Sequence, residues 1–471
     1  MKQLIIFIGI VILSACSQKE KANSEFNTIE ITQCNCLENW HWMKETFENN
    51  DAGFQWVIEK KGLERYKQFC DSIEYELKNA TDINDCQRIM NDWGMFFRKG
   101  HFFIGVNQTT SGKTAPAKSE TVDYSIETVN EQIENLKDPM IGVWQSSPYK
   151  IGIVRDTMNI IRKYVGFIIE SEVPEWKKGD VKVEFFDDYS AHFYMQDRSV
   201  ERRNVWLKNE VELFVGNMKF VNTLKADTLE QQLLATSKPL FFNLSDETTL
   251  LRVPSFNLEH KESINTLIED NKKTILSHKN FIIDLRDNGG GADNSWQNII
   301  PFIYTNPIKT IGVEFYSTPL NRELYFSQYS FIQRLIDHKF ILKSKRNNGK
   351  FVARDSIIVT KLETVYPNPQ QVIVLVDEAC GSSTEQFILA VQESSKTIIY
   401  GERTYGALDA SNVVTVSTPD NCFSLGYCVT RTLRPIENRI DDVGITPDVI
   451  ISDSIPKYKW IDFVLEELNK K

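Results

Sequence analysis

Two apolar segments in the second half of this 471-residue chain constrain its fold more than any other feature. Residues 280–291 read NFIIDLRDNGGG, and residues 371–378 read QVIVLVDE. A short apolar run without alternation indicates a strand buried on both faces, as in a parallel sheet. Each run leads through turn residues into a segment with helical spacing. Strands that alternate with helices predict an α/β fold with a mostly parallel sheet, which we assign to residues 237–471.

Two different patterns precede this predicted core. Residues 31–106 contain segments such as FQWVIEKKGLERYKQFCDSIEYELKN, in which apolar residues recur three and four apart, so a helical bundle is expected. Residues 107–135 begin with the polar run NQTTSGKTAPAKSETV and are predicted to be a linker. Residues 136–236 hold short β-branched and aromatic runs, which predict a β-rich domain. Its EWKKGDVKVEF segment suggests a divergent PDZ-like module, and a small barrel or a sandwich are the other architectures that fit.

The N-terminus has the pattern of an exported protein. Residues 1–16 read MKQLIIFIGIVILSAC, a basic residue and then an apolar run too short for an ordinary transmembrane helix. Because LSAC is similar to the bacterial lipobox, residues 1–16 are predicted to be a lipoprotein signal peptide with Cys16 as the lipidated residue, and residues 17–30 a tether. A plain signal peptide and an uncleaved anchor are the alternatives. The expected location is the bacterial cell envelope, where the lipid anchors the chain to a membrane and the protein faces the periplasm or the cell surface.

Charge and cysteine content restrict the partners and the compartment. The net charge of −10 argues against a nucleic-acid partner, because phosphate binding needs a basic surface. Outside the cytoplasm clustered cysteines form disulfides more often than metal sites, and a zinc site is the alternative for the N-terminal cluster. An odd number of cysteines follows Cys16, so at least one is expected to be unpaired, and Cys380 is the expected one. The disulfide candidates, whose pairing the sequence leaves open, are Cys34, Cys36, Cys70, Cys86, Cys422 and Cys428.

Two turns in the predicted core are candidate parts of a catalytic site. The glycines at 289–291 follow a buried strand, where glycine lets the backbone turn tightly and point N–H groups at a bound oxyanion. The hydroxyl run at 382–384 follows the other strand and opens a helix, whose N-terminal N–H groups favour negative charge. Taken singly, the first turn also fits an ordinary strand-to-helix connection, and the second fits a helix-capping serine.

Together these segments resemble a known family. FIIDLRDNGGG, GSSTE, GERTYGA and DDVGITPDVII, in this order, are similar to the tail-specific or C-terminal processing serine peptidases, which include the tricorn core protease and the interphotoreceptor retinoid-binding-protein-like branch. The resemblance implies a ClpP/crotonase-like core and extends to the preceding bundle, which ends in KGHFFI. It implies that Ser382 is the nucleophile, with Ser383 as the alternative. The N–H groups of Ser383 and of Gly289 or Gly290 are then the implied oxyanion hole.

The general base differs between two branches of that family. In the tail-specific branch it is a lysine in F-G-K-G, but residues 405–408 read YGAL here, and Ala407 cannot accept a proton. Lys396, the nearest lysine, ends the helix that leads away from Ser382. In the tricorn-like branch the base is a histidine in a motif similar to D-G-H-T, to which KGHF at 99–102 corresponds. His101 is therefore the implied base, and an imidazole suits that role near neutral pH.

A histidine base needs an orienting partner. The tricorn-like branch takes a carboxylate from the segment before G-V-x-P-D, which reads IDDVGITPD here and offers Asp441 and Asp442. Asp441 fits the family position better. The serine that precedes the histidine in that branch is Gly100 here, so any relay is shorter or differently arranged.

The predicted function is a serine-type peptidase, of endopeptidase or carboxyl-terminal processing type, with a tricorn-like Ser/His mechanism rather than a Ser/Lys dyad. It would hydrolyse protein or peptide substrates through an acyl-enzyme and need no metal or organic cofactor. The substrate is expected to lie as an extended strand near TYGALDAS, residues 404–411. The alternative is a catalytically inactive peptide- or ligand-binding lipoprotein on the same fold. The oligomeric state is left open.

Overall fold

The structure is a computed structural model that describes residues 34–80, 83–107, 120–157, 162–196, 198, 200–208, 211–216, 218–224 and 228–470. The predicted signal peptide, Cys16 and the tether lie outside these ranges. Among the helices of the described residues, none combines the length and the apolar character that a membrane span requires.

The first described unit is a bundle of four helices. Its first helix begins after Asn35, whose side chain accepts hydrogen bonds from two backbone N–H groups of the first turn at 3.1 and 3.2 Å. Such a cap satisfies N–H groups that have no partner within the helix. Trp40, Met43 and Phe47 follow at three- and four-residue spacing and are buried. The elements are α1 Cys36–Asn50, α2 Phe54–Lys61, α3 Leu63–Lys78, α4 Ile83–Gly94 and the strand β1 Phe103–Val106.

The segment predicted to be a linker, residues 107–135, contains a further helix, α5, which spans Ile126–Leu136. The linker prediction is wrong for these residues, because the polar run at its start does not continue past Ser125. From Ile126 onward apolar residues recur three and four apart, and Val129 is fully buried among side chains of the β-rich domain. Helix α5 therefore packs on that domain.

The β-rich domain is a closed barrel of eight antiparallel strands. Each strand pairs with the next, and the last returns to the first where Trp144 lies opposite Asn222. Closure removes the exposed sheet edge on which a PDZ module binds a peptide, so the PDZ-like alternative does not hold. The elements are β2 Gly142–Ser146, β3 Tyr149–Arg155, β4 Tyr164–Ser171, β5 Val181–Phe185, β6 Ser190–Tyr194, β7 Val200–Leu207, β8 Glu212–Val215, β9 Met218–Asn222 and the helix α6 Leu229–Ala235.

The remaining elements form the core. Its strands are β10 Leu240–Asn243, β11 Thr248–Arg252, β12 Asn280–Asp284, β13 Ile308–Ile311, β14 Val313–Tyr316, β15 Phe351–Ala353, β16 Ile357–Thr360, β17 Gln371–Val376, β18 Thr397–Gly401, β19 Ala410–Ser417, β20 Phe423–Thr432 and β21 Val449–Ile450. Its helices are α7 Leu258–Ser277, α8 Ile300–Ile303, α9 Pro319–Ser327, α10 Phe331–Ile336, α11 His338–Arg346, α12 Ser383–Val391 and α13 Trp460–Asn469.

A six-stranded sheet of order β10-β11-β12-β17-β18-β21 forms the centre of this core. Only β10 is antiparallel to its neighbour, so the predicted α/β fold with a mostly parallel sheet is confirmed. The two apolar segments that predicted it are the neighbouring strands β12 and β17, with Ile282 beside Ile373 and Asp284 beside Leu375. Because both strands run in one direction, the loops after their carboxyl ends meet at the same edge, where ligands bind in open α/β sheets.

A second sheet joins the bundle to the core. Strand β1 pairs with β20, so that Phe103 lies opposite Gly426 and Val106 opposite Phe423. Just before β1, the buried side chains of Arg98 and Asp51 form an ion pair whose Nη1–Oδ1 distance is 3.0 Å. The Asp51 carboxylate in turn accepts the Cys428 N–H of β20 at 3.1 Å, so residues 98–106 are held to the core through this ion pair as well as through the β1–β20 pairing.

Two disulfides are present among the described residues. Cys34 is joined to Cys422 and Cys36 to Cys86, with Cα–Cα distances of 5.9 and 5.8 Å. The zinc alternative for the N-terminal cluster does not hold, because three of its cysteines are disulfide-bonded. The bond from Cys34 to Cys422 attaches the start of the bundle to the core.

Two of the disulfide candidates are wrong. Cys70 and Cys428 are free and buried, as is Cys380, which was expected to be unpaired. Cys70 lies in the bundle core beside Tyr66, and the Cys428 thiol donates a hydrogen bond to the backbone oxygen of His101 at 3.4 Å. Both thiols are buried, and the other four disulfide candidates are paired with one another.

Candidate active site

Ser382 lies at the sharp turn between β17 and α12. Its φ of 55° and ψ of −122° are rare for a residue with a side chain, and such strain is typical of functional sites. The glycine loop after β12 packs directly against this turn. Gly290 has a φ of +106°, and a Cβ there would lie 2.7 Å from the Gly381 oxygen and 2.8 Å from the Ser382 Cβ. Glycine is therefore required at 290 for the two loops to approach.

The three consecutive hydroxyls of this turn have different partners. Ser383 donates to the carboxylate of Asp293 at 2.6 Å and accepts from the indole of Trp296 at 3.1 Å. Thr384 donates to a side-chain amide oxygen of the glycine loop at 2.7 Å. The Ser382 hydroxyl alone faces an imidazole. The alternative nucleophile, Ser383, already donates its hydroxyl proton to the carboxylate of Asp293.

His101 provides that imidazole. Its Nε2 lies 3.0 Å from the Ser382 Oγ, and its Nδ1 lies 2.6 Å from the backbone oxygen of Ala410. A carbonyl oxygen can only accept, so Nδ1 carries the proton and Nε2 of the neutral ring is the acceptor toward Ser382. His101 itself has a φ of 57°, so both residues of the pair occupy strained backbone positions.

The surroundings of the imidazole favour its neutral form. Burial lowers the pKa of His101 below its ordinary value, and the positive charge of Arg98 lowers the pKa further, while the hydrogen bond to Ala410 opposes both. The ring is therefore ready to accept a proton at neutral pH.

Asp441, the predicted orienting carboxylate, does not contact the imidazole. Its Oδ1 accepts the backbone N–H groups of Leu408 and Asp409, both at 2.6 Å, and its Oδ2 accepts that of Ala410 at 2.9 Å. The prediction of a direct contact is wrong, because all of its partners are backbone groups of the segment that presents the Ala410 oxygen. Asp441 can act on His101 only through that segment. Burial, followed by repulsion from Asp409, raises the pKa of Asp441 to about 6.

Asp442, the second carboxylate that the sequence offered, holds the other side of the histidine segment. It accepts the backbone N–H of Lys99 at 3.3 Å, and the Tyr405 hydroxyl donates to the Lys99 oxygen at 2.8 Å. The segment that carries His101 is therefore fixed to the core two residues before the imidazole.

The predicted oxyanion hole is only partly available. The N–H groups of Gly289 and Ser383 have no acceptor among the described residues. The N–H of Gly290 instead donates to the side chain of Asn288 at 3.0 Å, so Gly290 is not a free donor and that alternative is wrong. Asn288 was missed by the sequence reasoning, and it also anchors the loop by donating to the Val253 oxygen at 2.9 Å. No cluster of metal-ligating side chains occurs among the residues that the structure describes.

Residues 247–451, which include Ser382, the glycine loop and Asp441 but not His101, match peptidase family S41. The core of the chain is therefore similar to this family over the length of that match. Carboxyl-terminal-processing peptidase 2 from the chloroplast of Arabidopsis thaliana is 33% identical over 84 residues, which are 18% of this chain and 16% of that protein. The match thus spans about a sixth of the relative's length.

Solved structures extend the likeness beyond the S41 core. Mature CPAF complexed with lactacystin aligns over 93% of this chain and 97% of its own, with 12% identity and a TM-score of 0.53. Mature CPAF alone aligns over 93% and 96%, with 12% identity and a TM-score of 0.52. At this identity the likeness concerns the fold.

The position at which one S41 branch carries a lysine base lies against the histidine segment in this chain. A Cβ on Gly100 would be 2.8 Å from the Cβ of Ala407. A long side chain at 407 and a side chain at 100 would therefore compete for the space next to His101. Lys396 donates to the Tyr366 oxygen at 2.6 Å and has no contact with Ser382.

A buried carboxylate that the sequence reasoning missed joins the Ser382 turn to residues 404–407. Glu385 accepts the Ser382 N–H at 3.1 Å, the Thr404 hydroxyl at 2.6 Å, and the N–H groups of Gly406 and Ala407, each at 2.8 Å. Burial raises the pKa of Glu385, and these four hydrogen bonds oppose the rise. The S-x-x-E spacing of a capping box was the signal that could have found it.

The expected strand-like substrate site at residues 404–411 is wrong for residues 406–410. All five backbone N–H groups of that run already donate to Glu385 or Asp441. A substrate strand needs free N–H groups and carbonyls at a sheet edge. These N–H groups instead hold in place the segment that faces Ser382 and His101.

Proposed function

We propose that this chain is a serine-type endopeptidase that hydrolyses protein or peptide substrates through an acyl-enzyme on Ser382. One observation carries the proposal: the Nε2 of His101 faces the Ser382 Oγ at 3.0 Å while Nδ1 faces a carbonyl at 2.6 Å. The Nε2 of the neutral ring then accepts a hydrogen bond from the serine hydroxyl, which is the arrangement that nucleophilic catalysis by a serine needs.

In the first half of the reaction, the Ser382 Oγ bonds to the substrate carbonyl carbon as its proton passes to His101 Nε2. The same proton is then given to the leaving amine as the C–N bond breaks, which leaves the acyl group on Ser382. In the second half, water gives a proton to Nε2 and its oxygen attacks the acyl carbon. Release of the acid returns the proton to the Ser382 Oγ.

The negative oxygen of both tetrahedral intermediates would be held by the N–H groups of Gly289 and Ser383. Ser383 is the first residue of α12, so the dipole of this nine-residue helix adds to the two hydrogen bonds. One such donor is worth roughly 3–4 kcal/mol in serine peptidases. A positive end of a helix beneath the nucleophile also favours the serine alkoxide.

A Ser/His pair with a carbonyl as the orienting group is the mechanism that we propose, in place of a Ser/Lys dyad. Ala407 occupies the lysine position, and Lys396 is bound elsewhere. The pair is similar to the tricorn-like arrangement that the sequence suggested, except that a backbone oxygen replaces a carboxylate at Nδ1. A dipole stabilises an imidazolium less than a carboxylate does, which agrees in direction with the lowered pKa of His101.

The substrate class and the location are further parts of the proposal. The name of the Arabidopsis relative, a carboxyl-terminal-processing peptidase, supports protein chains as substrates. The N-terminal sequence supports lipidation of Cys16 and a location in the bacterial cell envelope. The acidic net charge supports the proposal that the protein has no nucleic-acid partner. The ClpP/crotonase class of the core rests on the family resemblance.

The test compares hydrolysis of casein and of fluorogenic peptides by the wild type, Ser382→Ala and the neighbouring control Ser383→Ala. Ser382→Ala is expected to lose at least ~10⁴-fold in kcat/KM, because the nucleophile acts as a unit with its base. Ser383→Ala keeps its backbone N–H and is expected to lose less than about tenfold, the effect of one neutral hydrogen bond. Retained hydrolysis in Ser382→Ala would overturn the assignment. Absence of any hydrolysis by the wild type would favour the ligand-binding alternative.

A further inference from the structure

An exposed surface of apolar and basic side chains lies on α10 and α11, away from Ser382 and His101. We propose that this surface, residues 331–346, docks on an anionic lipid bilayer. Phe331, Ile332, Leu335 and Ile336 are 76%, 68%, 58% and 68% exposed. At positions i, i+1, i+4 and i+5 they share one side of the helix. Contiguous exposed apolar side chains of this size on a soluble domain mark an interaction site.

The charge around this apolar surface indicates which partner it fits. Residues 331–350 contain six Lys or Arg residues and one Asp, although the whole chain has a net charge of −10. The single acid, Asp337, is buried and pairs with Arg354 at 2.9 Å, so it does not neutralise the exposed cations. Lys339, Lys345 and Arg346 are exposed on α11. Apolar side chains bordered by Lys and Arg are the composition of surfaces that insert into the headgroup region of anionic membranes.

The surface is held firmly, so its exposure does not come from a loosely attached helix. Phe340 and Ile341 of α11 pack into the core that joins the bundle to the second sheet. The Ser344 oxygen accepts the buried Ser317 hydroxyl at 2.7 Å. Helix α10 is capped by Ser330, whose hydroxyl accepts the Gln333 N–H at 3.2 Å. Asp337, which is buried, ends α10 and begins α11, so α10 projects outward from an anchored helix.

Other occupants fit the surface less well than a bilayer. Two copies meeting through the same surface would bring the exposed Lys and Arg residues of both chains together, which opposes a symmetric dimer. All six residues of α10 are exposed, so the helix projects from the protein and does not line a groove for a peptide. The proposal does not depend on lipidation of Cys16 or on peptidase activity. A lipid anchor would bring the chain to the bilayer, and this surface would set its orientation.

The test is hydrogen–deuterium exchange of the full chain with vesicles, read by mass spectrometry on peptides covering residues 328–346. This local readout is independent of any membrane contact made by the N-terminus. Vesicles of phosphatidylcholine with about one-third phosphatidylglycerol, a composition that attracts basic surfaces, should slow exchange in α10 at least fivefold. Pure phosphatidylcholine should not, and high salt should weaken the effect.

Two matched double variants sharpen the test. Ile332→Ser with Ile336→Ser removes exposed side chains of the surface, each 68% exposed. Ile436→Ser with Ile450→Ser removes two isoleucines of similar exposure, 72% and 68%, elsewhere on the chain. The first should abolish the protection and the second should keep it. A third variant, Lys345→Glu with Arg346→Glu, should abolish the preference for phosphatidylglycerol.

Three results would overturn the proposal. One is equal exchange of α10 with and without anionic vesicles. Another is protection that the Ile332→Ser, Ile336→Ser variant retains. A third is protection that depends on protein concentration without vesicles, which would identify a second copy of the chain as the partner. Unchanged circular dichroism in each variant controls for misfolding.

Discussion

Replacing Asp441 by Asn tests whether this carboxylate acts on His101 through the backbone of residues 408–410 or by direct contact with the imidazole. The carboxylate accepts three backbone N–H groups, two on Oδ1 at 2.6 Å and one, from Ala410, on Oδ2 at 2.9 Å. An asparagine can keep the first two on its carbonyl oxygen. Its amide NH₂ then opposes the Ala410 N–H, so one charge-assisted hydrogen bond is lost at the residue whose oxygen orients His101.

The size of the expected effect follows from that single bond. A hydrogen bond to a charged group contributes about 1.5–3 kcal/mol. If the whole of it serves to position the Ala410 oxygen, kcat/KM falls roughly 10- to 150-fold, at 1.36 kcal/mol per factor of ten. A carboxylate in direct contact with the histidine would give a loss of about 10⁴-fold on the same substitution. The two arrangements therefore differ by two orders of magnitude.

The pH dependence of this variant provides a second check. Because the pKa of Asp441 is raised to about 6, the wild-type carboxylate is mostly protonated at pH 5 and accepts fewer hydrogen bonds. The ratio of wild-type to variant kcat/KM should therefore be largest above pH 7 and shrink toward pH 5. The folded-state pKa lies above the unfolded value, so ionisation of Asp441 lowers stability as pH rises through about 6. Asn avoids that loss, and the thermal midpoint of the variant should change little at pH 7.5.

The assay is steady-state hydrolysis of a fluorogenic peptide from pH 5 to pH 9, with thermal unfolding of each protein as the control. A loss as large as that of His101→Ala would show that Asp441 acts on the imidazole directly. No loss at any pH would show that the Ala410 oxygen does not depend on Asp441. Either result refutes the positioning role argued above.

Three further predictions concern the base, the barrel and the bundle. Burial lowers the pKa of His101, so the midpoint of the rise of kcat/KM with pH should lie below the ordinary histidine pKa of about 6.5. A pH–rate profile measures this midpoint, and a midpoint above pH 7 would contradict the prediction. The Nζ of Lys219 in β9 lies 2.5 Å from the Asp287 carboxylate, just before the glycine loop. Loss of this partly buried ion pair in Lys219→Met should lower kcat about 3- to 10-fold, with little change in KM, in the same peptide assay. Arg98→Met leaves Asp51 buried without its partner and should lower the free energy of unfolding by about 3–5 kcal/mol in urea denaturation, whereas a change below 1 kcal/mol would contradict the buried pair.

The main fold and the place of Ser382 at a strand-to-helix turn could be predicted because their signals are local. Strands β12 and β17 each contain an unbroken apolar run, FII and VIVLV, and each leads into turn residues, so the parallel sheet follows from the sequence alone. Ser382 is the residue at which the second of these strands turns into a helix. His101 is 281 residues away in the chain, and only a resemblance to known peptidases could place it beside Ser382.

The parts that the sequence did not predict depend on long-range contacts or on backbone groups. Cys34 pairs with a cysteine 388 residues later, and no spacing rule reports such a distance. The orienting group of His101 is the backbone oxygen of Ala410, which every residue type carries and no motif can reveal. Asp441 was found by its family position, but its role changed because three N–H groups lie closer to it than the imidazole. Helix α5 was missed because a polar run hid the spacing that starts at Ile126.

The most direct test of the Ser382–His101 pair is the site and rate of reaction with a serine-directed phosphonate. Mass spectrometry of the labelled wild type should place the adduct on Ser382. His101→Ala should slow labelling at least ~100-fold, the lower range for a general base. The control His338→Ala, which changes an exposed histidine on α11, should label at the wild-type rate. An adduct on Ser383, or labelling of Ser382 at an unchanged rate in His101→Ala, would contradict the account.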